Sequence, residues 1–270
     1  MTRQEEKSKI TEEDLHMIAN FRLMDDDFMT VVFDRNKKAV ERVLDVILQR
    51  DDLKVLQVVT QREYKNPVAG GRSVKLDVYA KDLDGKIYDI EVQRADEGAD
   101  VHRARFHSSM LDIRMLKKKQ KFKQIHDSYV IFITENDYFG ENLPLYRIER
   151  VVQELNTSFE DGSHIIYVNG SYDNDEDPVG RLMHDFRCKD AADMFYKELG
   201  ESVRHFKETE GGRRQMCKAM EERIDRDRLN IIKGLSKNLS LSEEQIVAAM
   251  DISEDEKKIL LEQLTAKSTV

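Results

Sequence analysis

Residues 72–96 read RSVKLDVYAKDLDGKIYDIEVQRAD. Two alternating segments, 74–80 and 87–93, flank Asp82-Leu83-Asp84-Gly85. Alternation of apolar and polar side chains marks strands with unlike faces. A short connection containing glycine marks a hairpin between them. A two-residue turn at Asp84-Gly85 would pair Leu83 with Lys86 and set Asp77 opposite Val92, mixing polar and apolar side chains on one face. A three-residue loop, Leu83-Asp84-Gly85 with Gly85 left-handed, pairs Asp82 with Lys86 instead. One face then sets Leu76 against Val92, Val78 against Ile90 and Ala80 against Tyr88. The other sets Lys75 against Gln93, Asp77 against Glu91 and Tyr79 against Asp89. A slip of one residue scrambles both faces, so the pattern selects the second register.

That register places two carboxylates, Asp77 and Glu91, side by side, with Gln93 on the same face. Directly opposed like charges destabilise a strand pair. A divalent cation between them is the simplest compensation. Hard carboxylate oxygens suit Mg²⁺ or Mn²⁺, and such an ion can activate a water and stabilise charge on a phosphodiester. The competing reading of the same residues is a solvated polar face of an antiparallel pair.

Working outward, residues 36–49 read as a helix, because Val40, Val43, Leu44 and Ile47 fall on one face. Residues 53–60 form an expected strand, and 66–71, with Pro67, Gly70 and Gly71, a loop. A long helix is expected over 99–119. The apolar run at 129–134 reads as a buried strand, and 164–168 as another. An acidic loop covers 173–177, and beyond Pro178 only helical patterns follow. The order helix, three strands, helix, strand implies a mixed sheet flanked by helices. The expected division is a solvated N-terminal arm at 1–27 with a short helix over 12–24, an α/β domain at 28–200, and a helical region at 201–270.

The blocks RSVKLDVYAKD, YDIEVQRAD, HRARFHSSMLD, SYVIFITENDYFG and GSHIIYVNG occur in this order. Together they resemble the PD-(D/E)XK nuclease family transposases, which are related to recombination-promoting nucleases. The resemblance runs from about Phe28 to about Tyr196. It implies a restriction-endonuclease-like αβββαβ core, with a helical C-terminal appendage here, and Mg²⁺-dependent hydrolysis of DNA phosphodiesters in recombination or mobile-element movement. It also implies that Asp77 and Glu91 are the metal ligands, and that Gln93 stands where the signature has Lys. Glu41, in AVERVLDVIL, matches the acidic residue of the first core helix; its alternative reading is a surface Glu on an amphipathic helix. A neutral amide donates a weaker hydrogen bond than a charged group, so Arg94, Arg103 or Arg105 is expected to supply the missing charge. A chain that keeps this fold only as a DNA-binding or protein-interaction module is the other reading.

The formal net charge is −9, so phosphate binding requires a local cluster of cations. Arg103, Arg105, Arg114, Lys117, Lys118, Lys119, Lys121 and Lys123 supply one, interrupted by the single acid Asp112. The alternative for the lysines is a solvated helix end favoured by the helix dipole. His102 and His107 fit no His-x₃-His pattern. Cys188 and Cys217 match no metal spacing and read as packing residues. Two cysteines so far apart make no disulfide scaffold, so a reducing cytoplasm is expected; no run approaches the roughly 18 apolar residues of a membrane span, and the N-terminus has no apolar signal region. Near the C-terminus, Ser242 with Gln245 and Ser253 with Glu256 form capping boxes for two short helices. Ile246, Met250, Ile252, Ile259 and Leu260 are expected to pack them. Their acidic surroundings favour oligomerisation over DNA contact.

Overall fold

The computed structural model describes residues 10–267 of the chain. The chain folds as two compact units, the first ending at Arg213 and the second beginning at Arg214. Residues 201–213 therefore belong with the sheet, beyond the boundary expected at 200.

The first unit begins with helices α1 (Glu12–Asn20), α2 (Asp26–Phe33) and α3 (Lys37–Leu48). Part of the expected arm, residues 1–9, lies outside the described residues. The remainder is solvated along most of 11–20 but docked at Ile18, Leu23 and Met24, which are buried, and the Met24 N–H donates to Phe186 O at 3.2 Å. The apolar stripe of α3 behaves as its spacing predicts, with Val40, Val43, Leu44 and Ile47 all buried. Asn36 caps its start, and Gln49, left-handed at φ 56°, ends it.

Strands β1 (Val55–Tyr64), β2 (Val74–Asp82) and β3 (Ile87–Gln93) follow, then α4 (Val101–Met115) and β4 (Ser128–Thr134). This is the αβββαβ order. Further strands are β5 (Leu145–Ile148), a small ribbon of β6 (Val151–Val152) and β7 (Thr157–Ser158), and β8 (Ser163–Asn169). The main sheet runs β1-β2-β3-β4-β8-β5. Its first three strands are antiparallel, β3, β4 and β8 are mutually parallel, and β5 closes the edge antiparallel to β8. β5 and the ribbon were not legible in the sequence, since strands of two to four residues carry too little alternation to register. Helices α5 (Pro178–Arg187) and α6 (Lys197–Glu208) end the first unit.

The β2–β3 register is the one the hairpin pattern selects. Val78 pairs with Ile90, Tyr79 with Asp89 and Ala80 with Tyr88. Gly85 is left-handed at φ 86°, and the Asp82 N–H donates to Lys86 O. The ladder stops at Val78 and Ile90, so the expected pairs further out, Asp77 with Glu91 and Leu76 with Val92, are not ladder partners. There the side chains take over: the Asp77 N–H donates to Glu91 Oε1 at 3.0 Å, and the Val92 N–H to Asp77 Oδ2 at 3.3 Å.

The second unit comprises most of α7 (Glu210–Leu239), with α8 (Glu243–Ala249) and α9 (Glu254–Lys267). Both capping boxes are formed. Leu229, Ile232, Ile246, Val247, Leu260 and Leu264 make its core, with Met250 and Ile252 against it. Ile259, expected in that core, is exposed.

Candidate active site

The polar face of the hairpin is solvated only at its open end, where Lys75 is exposed and Asp77 and Gln93 are partly buried. Helix α4 lies over it, and Asp89 and Glu91 are both 0% exposed. The chain reaches this arrangement because β3 runs straight into the turn that starts α4. Asp100 caps the helix by accepting from the His102 and Arg103 N–H groups. The first turns of α4 therefore project Arg103 and, one turn later, His107 back over β3. Gly98 makes the close approach possible, since a Cβ there would meet Gln93 Oε1 at 2.1 Å.

Arg103 ties the group together. Its Nη2 donates to Glu91 Oε2 at 2.7 Å, and its Nη1 to Gly98 O at 2.9 Å and Gln93 Oε1 at 3.3 Å. Its Nε faces His107 Nε2 at 3.4 Å. His107 Nδ1 lies 2.8 Å from Asp89 Oδ2 and 3.8 Å from Glu91 Oε1. Gln93 Nε2 stands 3.5 Å from both Asp77 Oδ2 and Glu91 Oε2. On the other side of Asp77, Gln61 Nε2 is 3.5 Å from Asp77 Oδ1, 3.3 Å from Asp26 Oδ1 and 3.2 Å from Thr30 Oγ1. Gln61 is left-handed at φ 54°.

Three carboxylates thus crowd around one guanidinium. Removing charge from water disfavours the ionised form unless partners compensate. Burial, then the neighbouring Glu91, pushes Asp77 up to about 8. Burial, then Asp89, pushes Glu91 up to about 8. Burial also holds Asp89 well above the ordinary carboxylate range and pushes the His107 imidazolium down. The donor set fits a divalent cation: acceptor oxygens in excess, an imidazole nitrogen, and a buried Asp89 Oδ1 that has no hydrogen-bond partner among the described residues.

The site opens on a cleft of about 750 Å³. Arg72, Lys75 and Asp77 line its sheet side, and His102, Arg103, Arg105 and His107 its helix side. Arg72, Lys75 and Arg105 make no ion pair with another described residue. The cleft is a cationic trough whose wall includes Asp77, Arg103 and His107, with Asp89 and Glu91 buried behind them.

The structure brings together Asp77, Glu91, Gln93 and Arg103, and sets Arg105 on the same cleft. It does not bring in Glu41, whose Oε1 accepts the Val55 N–H at 2.8 Å at the start of β1. Val55 pairs with Asp82, which lies about 17 Å along β2 from Asp77 at ~3.4 Å per residue. Glu41 therefore secures a strand start, and it faces a separate depression with Lys38, Arg42 and Asp45. Arg94 points away into ion pairs with Asp25 and Glu135. The helix carrying the lysines ends at Met115, not 119. Lys117, Lys118 and Lys119 are exposed beyond that end, which itself lies about 18 Å along the helix from Arg103 at 1.5 Å per residue. Four residues at the site were missed. Asp89 had a signal, its period-2 spacing from Glu91, and His107 had one too, its one-turn spacing from Arg103. Asp26 and Gln61 had none.

A family model described as PD-(D/E)XK nuclease family transposase matches residues 31–171, more than half of the chain, and the chain belongs to that family. No curated protein and no solved structure matches it. Among the described residues, no helix is long and apolar enough to cross a membrane.

Proposed function

We propose that the chain is a divalent-metal-dependent endonuclease that hydrolyses DNA phosphodiesters during recombination or mobile-element movement, in the cytoplasm. The observation that carries this reading is the crowding of Asp77, Asp89 and Glu91 around Arg103, with Asp77 and Arg103 lining a cationic cleft. Asp77 and Glu91 would hold Mg²⁺ or Mn²⁺. Once bound, the ion lowers the pKa of a coordinated water and offsets charge on the scissile phosphate.

The chain's own residues do the remainder. Gln93 Nε2, within reach of both carboxylates, orients the attacking water. Arg103 supplies the positive charge that a neutral amide at position 93 lacks. It stabilises the phosphorane-like charge in a site where few water dipoles compete. Arg72, Lys75 and Arg105 hold the flanking phosphates, and Lys117, Lys118 and Lys119 contact DNA further along. The C-terminal helices serve assembly of like chains.

The deciding experiment is plasmid cleavage by purified protein with Mg²⁺, Mn²⁺ or EDTA, set beside Asp77→Ala. Cutting that needs metal and Asp77 is expected. If the wild type cuts no DNA form with either metal, and Gln93→Lys does not awaken it, the binding-module reading replaces this one.

A further inference from the structure

The cluster holds more ligand atoms than the Asp77–Glu91 pair uses. His107 Nδ1, an Asp89 oxygen and a Glu91 oxygen all lie within 4.8 Å of one another. They sit on the α4 side of Glu91, while Asp77 lies on the other side. Both Glu91 oxygens are already engaged as acceptors, one by the Asp77 N–H and the other by Arg103. No donor among the described residues reaches Asp89 Oδ1, which is fully buried. An unsatisfied buried oxygen beside an imidazole and a second carboxylate calls for an explanation, and an ion is among the recognised ones.

We propose that Asp89, Glu91 and His107 form a second cation site, sharing Glu91 with the pair above and rich enough in nitrogen to take Mn²⁺ or another transition-metal ion in preference to Mg²⁺. Imidazole suits transition metals, whereas all-oxygen sets suit Mg²⁺. The separations fit one ion at usual bond lengths of about 2.0–2.2 Å: Asp89 Oδ2 is 2.8 Å and Glu91 Oε1 3.8 Å from His107 Nδ1. The ion takes the place of the Nδ1 proton. The imidazole proton then resides on Nε2, which ends the hydrogen bond from Arg103 Nε while the Nη1 and Nη2 bonds to Gly98, Gln93 and Glu91 remain.

The charges agree with a two-ion occupancy in the working complex. With all three carboxylates ionised, Arg103 leaves two negative charges, which one divalent ion balances. A second ion is balanced when a phosphodiester and a hydroxide enter together. Two ions spanning one phosphate are an established arrangement for in-line displacement. The site therefore deepens the nuclease reading and rests on it for its purpose, but its existence is testable without cleavage.

The experiment is Mn²⁺ titration of the full chain, counting bound ions and recording nitrogen coupling by pulsed electron paramagnetic resonance. Two ions per chain are expected, one of them coupled to nitrogen, and the coupling pattern changes when histidine is ¹⁵N-labelled. Excess Mg²⁺ displaces the uncoupled ion first. His107→Gln loses the coupling and one ion, whereas Asp77→Asn loses the other ion and keeps the coupling. A single ion without nitrogen coupling in the wild type overturns the proposal, whatever the variants do, and leaves the nuclease reading standing. Coupling that survives in His107→Gln also overturns it. Nitrogen-coupled Mn²⁺ in a protein that cuts no DNA form overturns the nuclease reading and keeps the site.

Discussion

The two ends of the β2–β3 hairpin both bury carboxylates, and they do so in opposite ways. At the turn, Asp82 is 3% exposed, yet it is served by the Lys86 N–H at 2.9 Å and the Tyr88 hydroxyl at 2.7 Å. Asp185 is buried in the same manner, accepting from the Phe195 and Tyr196 N–H groups. At the open end, Asp77, Asp89 and Glu91 crowd one another, share a single guanidinium, and leave Asp89 Oδ1 without a donor among the described residues. Burial of an acid is thus not the mark of a site. The mark is an excess of buried acceptors over donors and cations, which a protein keeps only where something else completes the set.

The largest expected difference between the two ends is in catalysis. Asp77→Ala or Glu91→Ala should lower the single-turnover cleavage rate of a DNA duplex by about a hundred-fold or more, the lower end for loss of a positioned catalytic group. Asp82→Asn should leave the rate of the folded protein within a few-fold and lower its Tm. Comparable losses of rate at both ends would erase the distinction between structural and functional acids.

Metal should separate them next. A ligand that binds only the folded state stabilises it by ~2.7 kcal/mol at a hundred times its Kd. Mn²⁺ should therefore raise Tm by calorimetry in the wild type and in Asp82→Asn, less in Asp77→Asn, which loses one ion, and least in Glu91→Gln, which loses the ligand common to both. An equal rise in all four proteins would place the ion elsewhere.

The dependence on pH sharpens the comparison further. Asp77 and Glu91 are each raised to about 8 by burial first, so the folded chain keeps protons that the unfolded chain releases from about pH 4 upward. Where the native state binds more protons than the unfolded one, stability falls as pH rises. In EDTA, Tm should fall between pH 5 and 8, and Glu91→Gln should flatten that fall. Because the carboxylates must lose protons to take a metal, Mn²⁺ affinity should rise over the same interval. A metal-free Tm that climbs from pH 5 to 8 would contradict the raised carboxyl values.

The smallest effects concern the cations. Arg72→Gln, Lys75→Gln and Arg105→Gln together should weaken DNA binding and reduce the salt slope by about one unit per lost phosphate contact. Reversing Lys117, Lys118 and Lys119 to Glu should also flatten the slope, but less. If the lysine variant shows the larger change, DNA runs along the far end of α4 and the cleft is not its main track.

Much of the site was legible because the hairpin constrains itself. Alternation plus a three-residue loop admits one register that keeps Leu76, Val78 and Ala80 on one face, and that register puts Asp77, Glu91 and Gln93 near one another. Arg103 was legible through its place just after β3. Glu41 misled because an acid on an amphipathic helix has the same local pattern whether it meets a ligand or a backbone N–H, and here it meets Val55. Asp26 misled by silence: α2 carries it to Gln61 from 35 positions away, and no local pattern encodes such a meeting. The lysines after Met115 were read as part of a helix over 99–119, although the chain leaves the helix at Met115.

The sequence by itself determined the element order, the hairpin register and the family, because each rests on periodicity, turn chemistry or ordered motifs along neighbouring residues. Only the tertiary structure decided whether the polar face of the hairpin meets water or protein. The alternating pattern of β3 is compatible with either. It took the return of α4 across the sheet to bury Asp89 and Glu91, bring His107 and Arg103 onto them, and turn a polar strand face into a group of carboxylates short of positive charge.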